Sequence, residues 1–188
     1  MITRTLVTLA LVLCVVTIAQ AKTPQREHLT PQEIDLVKEA QALDKRIDVF
    51  IKCVERRLMV INNSAAANAK VLKKESERWG ELPTGSRAEL VGDIARIFDE
   101  AITNIDDVSA RDEKNPLIPK ALRKLAAAAS RIVEQIRPTE TQARGEAEQS
   151  SFDQLTENAE AILQAANKLP PPPDPKAKGK TEKPKATN

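Results

Sequence analysis

The chain reads as all-α: an antiparallel four-helix-type bundle, or five helices if one ambiguous stretch stands alone, between a cleaved leader and a disordered tail. Three observations predict it. Apolar residues recur at spacings of three and four over long runs, helix-start and helix-stop residues bracket those runs, and β-branched residues follow the same helical spacing instead of alternating.

Residues 1–21 have the three parts of a secretory signal peptide. Met1-Ile2-Thr3-Arg4 is a short basic start, Leu6 to Ala19 is an uncharged and mostly apolar run, and Ala19-Gln20-Ala21 is a small-x-small cleavage site. The run is only at the lower edge of the roughly 20 apolar residues a membrane-crossing helix needs. Cleavage after Ala21 is therefore expected over a membrane anchor. Cys14 follows Leu13, where a lipid-modified cysteine would want a small residue before it, so it is read as part of the leader.

Of the 188 residues, 167 remain after such cleavage, the size of one ordinary domain. The leader holds one basic and no acidic residue, which leaves 28 basic against 27 acidic and a formal charge of +1. That balance argues against nucleic acid, whose binding rests on many Lys and Arg gathered on one face. A single cysteine, Cys53, also remains. No disulfide framework is available, and the core alone has to hold the fold.

Residues 22–29 are a polar lead-in, and the bundle domain is expected over 30–169. Thr30-Pro31-Gln32-Glu33 starts the first helix, with Thr as N-cap, Pro at the first helical position and Glu three residues after the cap. Leu36, Ala40, Leu43, Ile47, Phe50, Val54, Leu58 and Ile61 then form a stripe roughly 80° wide, which predicts one continuous helix to about Ile61. Asn62-Asn63-Ser64 breaks or bends it. Ala65 to Trp79 is helical, either as a continuation or as a short helix folded back, and Gly80 is its stop signal. Ser86, paired with Glu89, starts the next helix. Its face runs through Leu90, Ile94, Ile97, Phe98, Ala101, Ile105 and Val108, widened by Val91 and Ile102 to roughly 140°, enough for two neighbours.

Ala110 to Asn115 is a charged loop. Pro116 and Pro119 bracket a helix with the face Ile118, Leu122, Leu125, Ala129, Ile132, Val133 and Ile136, which Pro138 is expected to end. Thr139 with Gln142 would cap the last helix, weak around Gly145 and firm through Phe152, Leu155, Ala159, Ile162, Leu163 and Ala166. Short loops between strong amphipathic helices make the antiparallel bundle the economical arrangement. Residues 170–188 open with four prolines and carry five Lys, one Asp and one Glu with no large apolar residue. Such a segment cannot bury enough to fold, and it is expected as a basic, extended tail.

No catalytic, cofactor-binding or metal-binding residue is assigned. The one histidine, His28, precedes the first helix, so no helix offers the Glu-x-x-His of a bundle metal centre, and there is no Cys-x-x-Cys-His or glycine-rich phosphate loop. A Cys–His nucleophile pair would need His28 to fold back onto Cys53. Asp93, Glu100 and Asp107, spaced by seven, form an acidic rail with Asn104 beside it. Its plainer reading is salt bridging to Arg46 or Arg57 of the first helix, because carboxylates about 10 Å apart cannot share one ion.

Cys53 lies with Ala42, Val49 and Val60 on a second, thinner apolar strip. That strip either packs against another helix or supplies a dimer interface with a Cys53–Cys53 bridge. Asn62-Asn63-Ser64 also matches a glycosylation sequon, which matters only in a host that glycosylates exported proteins. The expected role is that of a non-enzymatic interaction or scaffolding protein, periplasmic or extracellular, with an unknown protein partner or self-association. The tail's five lysines, diluted by two acids, offer at most weak, salt-sensitive contact with an anionic envelope polymer, and its plainer reading is a solvated tail. The alternative is a small-ligand carrier with a pocket near Phe50, Phe98 and Phe152.

Overall fold

A computed structural model describes residues 26–171, and over them the chain forms six helices and no strand. The expected leader, the first half of the lead-in (22–25) and the tail from residue 172 lie outside the described residues.

The first helical run holds two helices, α1 (Pro31–Glu39) and α2 (Leu43–Ile61), where a single one was expected. Thr30 caps α1 as its sequence implies: Glu33 N donates to Thr30 Oγ1 at 3.3 Å and Thr30 N to Glu33 Oε2 at 2.9 Å. No glycine or proline marks the break at 40–42. Side chains take over backbone acceptors there: Arg46 Nε donates to Ala40 O at 3.1 Å and Gln41 Nε2 to Lys38 O at 2.8 Å. The break lets Glu33 reach Arg56. On one straight helix, 23 residues of rise would separate them by about 35 Å.

The stretch left open by the sequence is a separate helix, α3 (Ala69–Trp79), preceded by a turn in which Asn63 takes a positive φ. Its backbone lies against α1 alone among the helices, and none of its residues is buried. Gly80 follows with φ +64°, a conformation natural to glycine.

Three long helices complete the fold: α4 (Arg87–Arg111), α5 (Leu117–Glu140) and α6 (Glu146–Asn167). Ser86 caps α4 through the expected reciprocal pair with Glu89. Pro138 does not end α5, which runs on to Glu140. A proline this near a C-terminus forfeits one backbone bond without forcing the chain out of helical dihedrals, and Thr141 N still donates to Arg137 O. The Thr139–Gln142 cap does not form. Gly145, expected inside the last helix, is its N-cap residue, with φ +84°.

One apolar core joins α2, α4, α5 and α6. Ile47, Phe50 and Val54 of α2 share it with Ile94, Ile97 and Phe98 of α4, Leu125 and Ile132 of α5, and Phe152, Leu155 and Ile162 of α6. Each such side chain contributes about 1.5–3 kcal/mol when fully buried.

The neighbour relations differ from a simple antiparallel ring. α2 packs against α4 and α5, and α6 against α4 and α5, whereas α4 and α5 meet more sparingly although consecutive. Asp44 pairs with Lys120, Asp48 with Lys124 and Glu55 with Arg131, so α2 and α5 run parallel. Arg87 with Glu148, and Ala95 O with Asn158 Nδ2, make α4 and α6 parallel too. Arg57 with Asp93 and Arg46 with Asn104 run in opposite senses, so α2 and α4 are antiparallel. The chain crosses the core on the diagonal between α4 and α5. The small residues Ala121, Ala126, Ala128 and Ala129, all buried on α5, suit the close helix approach their run predicts.

Candidate functional site

The main departure from an apolar interior is a cluster of charged side chains where α1, α2 and α4 meet. Glu33 of α1, Arg56 and Arg57 of α2 and Asp93 of α4 are each no more than 1 % exposed. The Thr30 cap places the Glu33 carboxylate at the first turn of α1, facing α2. It accepts from four donors: Thr30 N at 2.9 Å, Arg56 Nε at 3.2 Å, and Arg57 Nη1 and Nη2 at 3.0 and 2.8 Å. The Arg57 contact is a two-pronged guanidinium–carboxylate pair, the geometry that best repays the cost of desolvating both charges.

Several of the arginines' other donors go to backbone. Arg57 Nη1 also reaches Cys53 O at 2.8 Å, and Nη2 reaches His28 O. Arg56 Nη2 faces three consecutive carbonyls at the end of α3 and just beyond it, those of Trp79 (3.1 Å), Gly80 (3.2 Å) and Glu81. The positive φ of Gly80 permits this convergence, and a side chain there would press on Gln32. The Arg56 guanidinium also lies 5.7 Å from the centre of the Trp79 ring, a cation–π distance. Arg56 Nη1 has no hydrogen-bond partner among the described residues.

Asp93 is the second buried carboxylate. Arg96 Nη2 approaches it to 2.5 Å and Arg26 Nη2 to 3.0 Å, with Arg57 Nε at 3.8 Å. Arg26 further touches Thr84 O and lies 3.4 Å from Glu89. His28 Nε2 is 2.7 Å from Glu100 Oε2. The residues just before α1 thus form a strap across α4. Open clefts adjoin it, one of about 430 Å³ beside Arg26, Arg57 and Thr84 and one of about 510 Å³ between α4 and α6 beside Arg96, Asp99 and Ser151. Each cleft carries as many acidic as basic side chains, so neither favours an anion or a cation.

The acidic rail divides among different partners. Asp93 meets Arg57 as the sequence suggested, Glu100 takes His28, and Asp107 is exposed with its carbonyl accepting from Arg111. Arg46 donates to Asn104 Oδ1 at 3.0 Å.

Cys53 is a free, fully buried thiol. Burial, followed by the nearby Glu33 charge, pushes its pKa far above the ordinary thiol value, so it stays protonated. His28 is occupied by Glu100, and no Cys53–His28 hydrogen bond is formed. The thin strip of α2 is covered at Val49 and Cys53, while Val60 is half-buried and Ala42, the N-cap residue of α2, is exposed. A Cys53–Cys53 bridge between two folded copies would need that cover to be displaced. Phe50, Phe98 and Phe152 are buried within the apolar core, and the clefts beside the strap do not reach them.

The sequence reading recognised Arg57 and Asp93 but missed the hub, Glu33, and its second partner, Arg56. By sequence Glu33 has the place of a cap residue, yet it precedes Leu36 by three and so stands on the same apolar stripe. Arg56 falls between Cys53 and Val60 on the thin strip. A charge in register with an apolar stripe is the signal that could have found both.

The chain matches no protein-family model, no curated protein and no solved structure. The charged cluster therefore has to be interpreted from its own geometry.

Proposed function

We propose that the chain is an exported, non-enzymatic interaction or scaffolding protein of the cell envelope or extracellular space. It would be built on a four-helix-type bundle of α2, α4, α5 and α6, with α1 and α3 laid on one side. One observation carries the non-catalytic reading: the charges of the buried cluster are spent on one another and on backbone carbonyls. Glu33 takes four protein donors, Arg57 also holds the segment just before α1, and Arg56 holds the turn after α3. A catalytic carboxylate would instead be presented at a cleft where substrate could meet it, and Arg57, which does border one, is engaged with Glu33 and two carbonyls. The leader supports export, and the basic proline-rich tail supports a spacer between the bundle and an anionic envelope polymer.

Native mass spectrometry of the protein recovered from its host's envelope fraction tests the proposal. The expected result is a chain lacking residues 1–21, bound to a protein partner or to a second copy. A monomer carrying a small organic molecule would overturn it in favour of a carrier. An intact chain recovered from the cytosol would overturn export.

A further inference from the structure

We propose that the strap and α1, residues 26–40, form a hinged arm that opens away from α2 as a unit while the four long helices stay packed, and that the Glu33 carboxylate is its latch. The construction of the arm carries the inference. Among the helices the α1 backbone packs only on α2 and α3, and α3 packs on α1 and reaches α2 through side chains, Lys52 to Glu75 and Arg56 to Trp79, so this layer stands outside the joint packing of α2, α4, α5 and α6. Its apolar hold is thin. Leu36 is the one fully buried apolar residue of α1 and Leu29 that of the strap; Ile34, Val37 and Ala40, with Trp79 at the end of α3, pack on the core only partly buried.

What fixes the arm is polar. Glu33 binds Arg56 and Arg57, Arg57 binds His28 O, His28 binds Glu100, and Arg26 binds Asp93. Only the Glu33 contacts lie on α1 itself; His28 and Arg26 sit on the strap, which runs directly into the capped first turn at Thr30, so an arm that moves as a unit releases all of these contacts together. The chain is already non-helical at 40–42, where Ala40 and Ala42 have ψ of 87° and 134°, so a pivot exists that costs no helix. Elements held by few apolar contacts and many polar ones are those that open below the global unfolding free energy.

Beneath the arm lies the thin strip of α2. Val49 lines a cleft together with Leu36, Ala40 and Trp79, and Cys53, one turn further on, has its carbonyl held by the same Arg57 guanidinium that grips Glu33. Cys53 is thus a built-in reporter of arm opening.

The test is thiol labelling of the full chain carrying Cys14→Ser, so that Cys53 is the only cysteine. With excess aromatic disulfide, the Cys53 thiolate forms a mixed disulfide and releases one aromatic thiolate, read by its absorbance. Far-ultraviolet circular dichroism follows global unfolding in parallel. Arm opening predicts native-state labelling whose urea dependence is much shallower than that of global unfolding. Glu33→Gln should speed labelling at least tenfold with helicity retained. His28→Ala, which removes only one strap contact, should speed it severalfold, and it serves as the deciding variant if Glu33→Gln does not fold. Labelling with the same urea dependence as global unfolding would overturn the proposal. So would rates that rise in the variants only in proportion to their loss of global stability.

Discussion

Two kinds of ion pair in this protein differ in what they contribute, and burial decides which matters. The Glu55–Arg131 pair, at 2.7 Å, sits where solvent screens it. Pairs of that kind contribute about 0–1 kcal/mol. Glu33 is sealed from water, and its removal would strand Arg56 and Arg57 in the interior. Glu33→Ala is expected to destabilise the fold by about 3–5 kcal/mol, the usual cost of breaking a buried pair from one side. Glu55→Ala should cost less than about 1 kcal/mol. Urea unfolding of the two variants against the wild type checks the contrast, and equal losses would deny the cluster its structural weight. This part of the site was only half legible in the sequence. Arg57 could be matched to Asp93 because both flank recognisable stripes. Glu33 sits on a stripe at apolar spacing, and its partners lie 23 and 24 residues away across a break that no glycine or proline announces.

At the scale of elements, the helix starts matter as much as the core. Three carboxylates in first turns are held below the ordinary carboxylate range. The Arg87 guanidinium does this to Glu148, helped by Arg144 N. The amide and then the hydroxyl of Ser86 do it to Glu89, and Lys120 does it to Asp44. A depressed pKa means the folded state binds protons less readily than the unfolded one. The stability involved is fully present above about pH 5 and is lost as pH falls through the folded-state values. Unfolding midpoints in urea should therefore drop steadily between about pH 5 and pH 2, and Glu148→Gln should flatten part of that drop.

Gly145 gives a second test at this scale. Its φ of +84° is strained for any other L-residue, yet an added Cβ would meet nothing within 4 Å. Gly145→Ala should accordingly cost about 1 kcal/mol through the backbone alone, read as a lowered thermal midpoint with an unchanged native spectrum. The two capping boxes were legible because Ser/Thr and Glu three apart have one local use. The boundaries around Pro138 and Gly145 were not, since both residues are compatible with more than one position near a helix end.

The whole molecule turns on which helices are neighbours, and stripe width alone could not reveal it. A stripe of roughly 140° on α4 says that the helix has two flanks to cover, not which helices cover them. α4 lies between α2 and α6, and α5, though next in the chain, stands mostly across the core. That order is set by long-range packing, and surface charge pairs 76 residues apart, such as Lys124–Asp48 and Arg131–Glu55, mark its register. It can be tested without further structural work. Lys124 Nζ is 2.7 Å from both carboxylate oxygens of Asp48, and Lys120 Nζ is 2.6 Å from Asp44. A carbodiimide, which joins an amine to a carboxylate with no spacer, should link these pairs in the native protein, and peptide mass spectrometry should find the two joined segments. The links run in register, the earlier lysine to the earlier aspartate, as parallel helices require. In a simple antiparallel ring α2 would instead lie beside α6, with α5 across the core. Recovery of α2–α6 links without any between α2 and α5 would therefore replace the crossed arrangement with the ring.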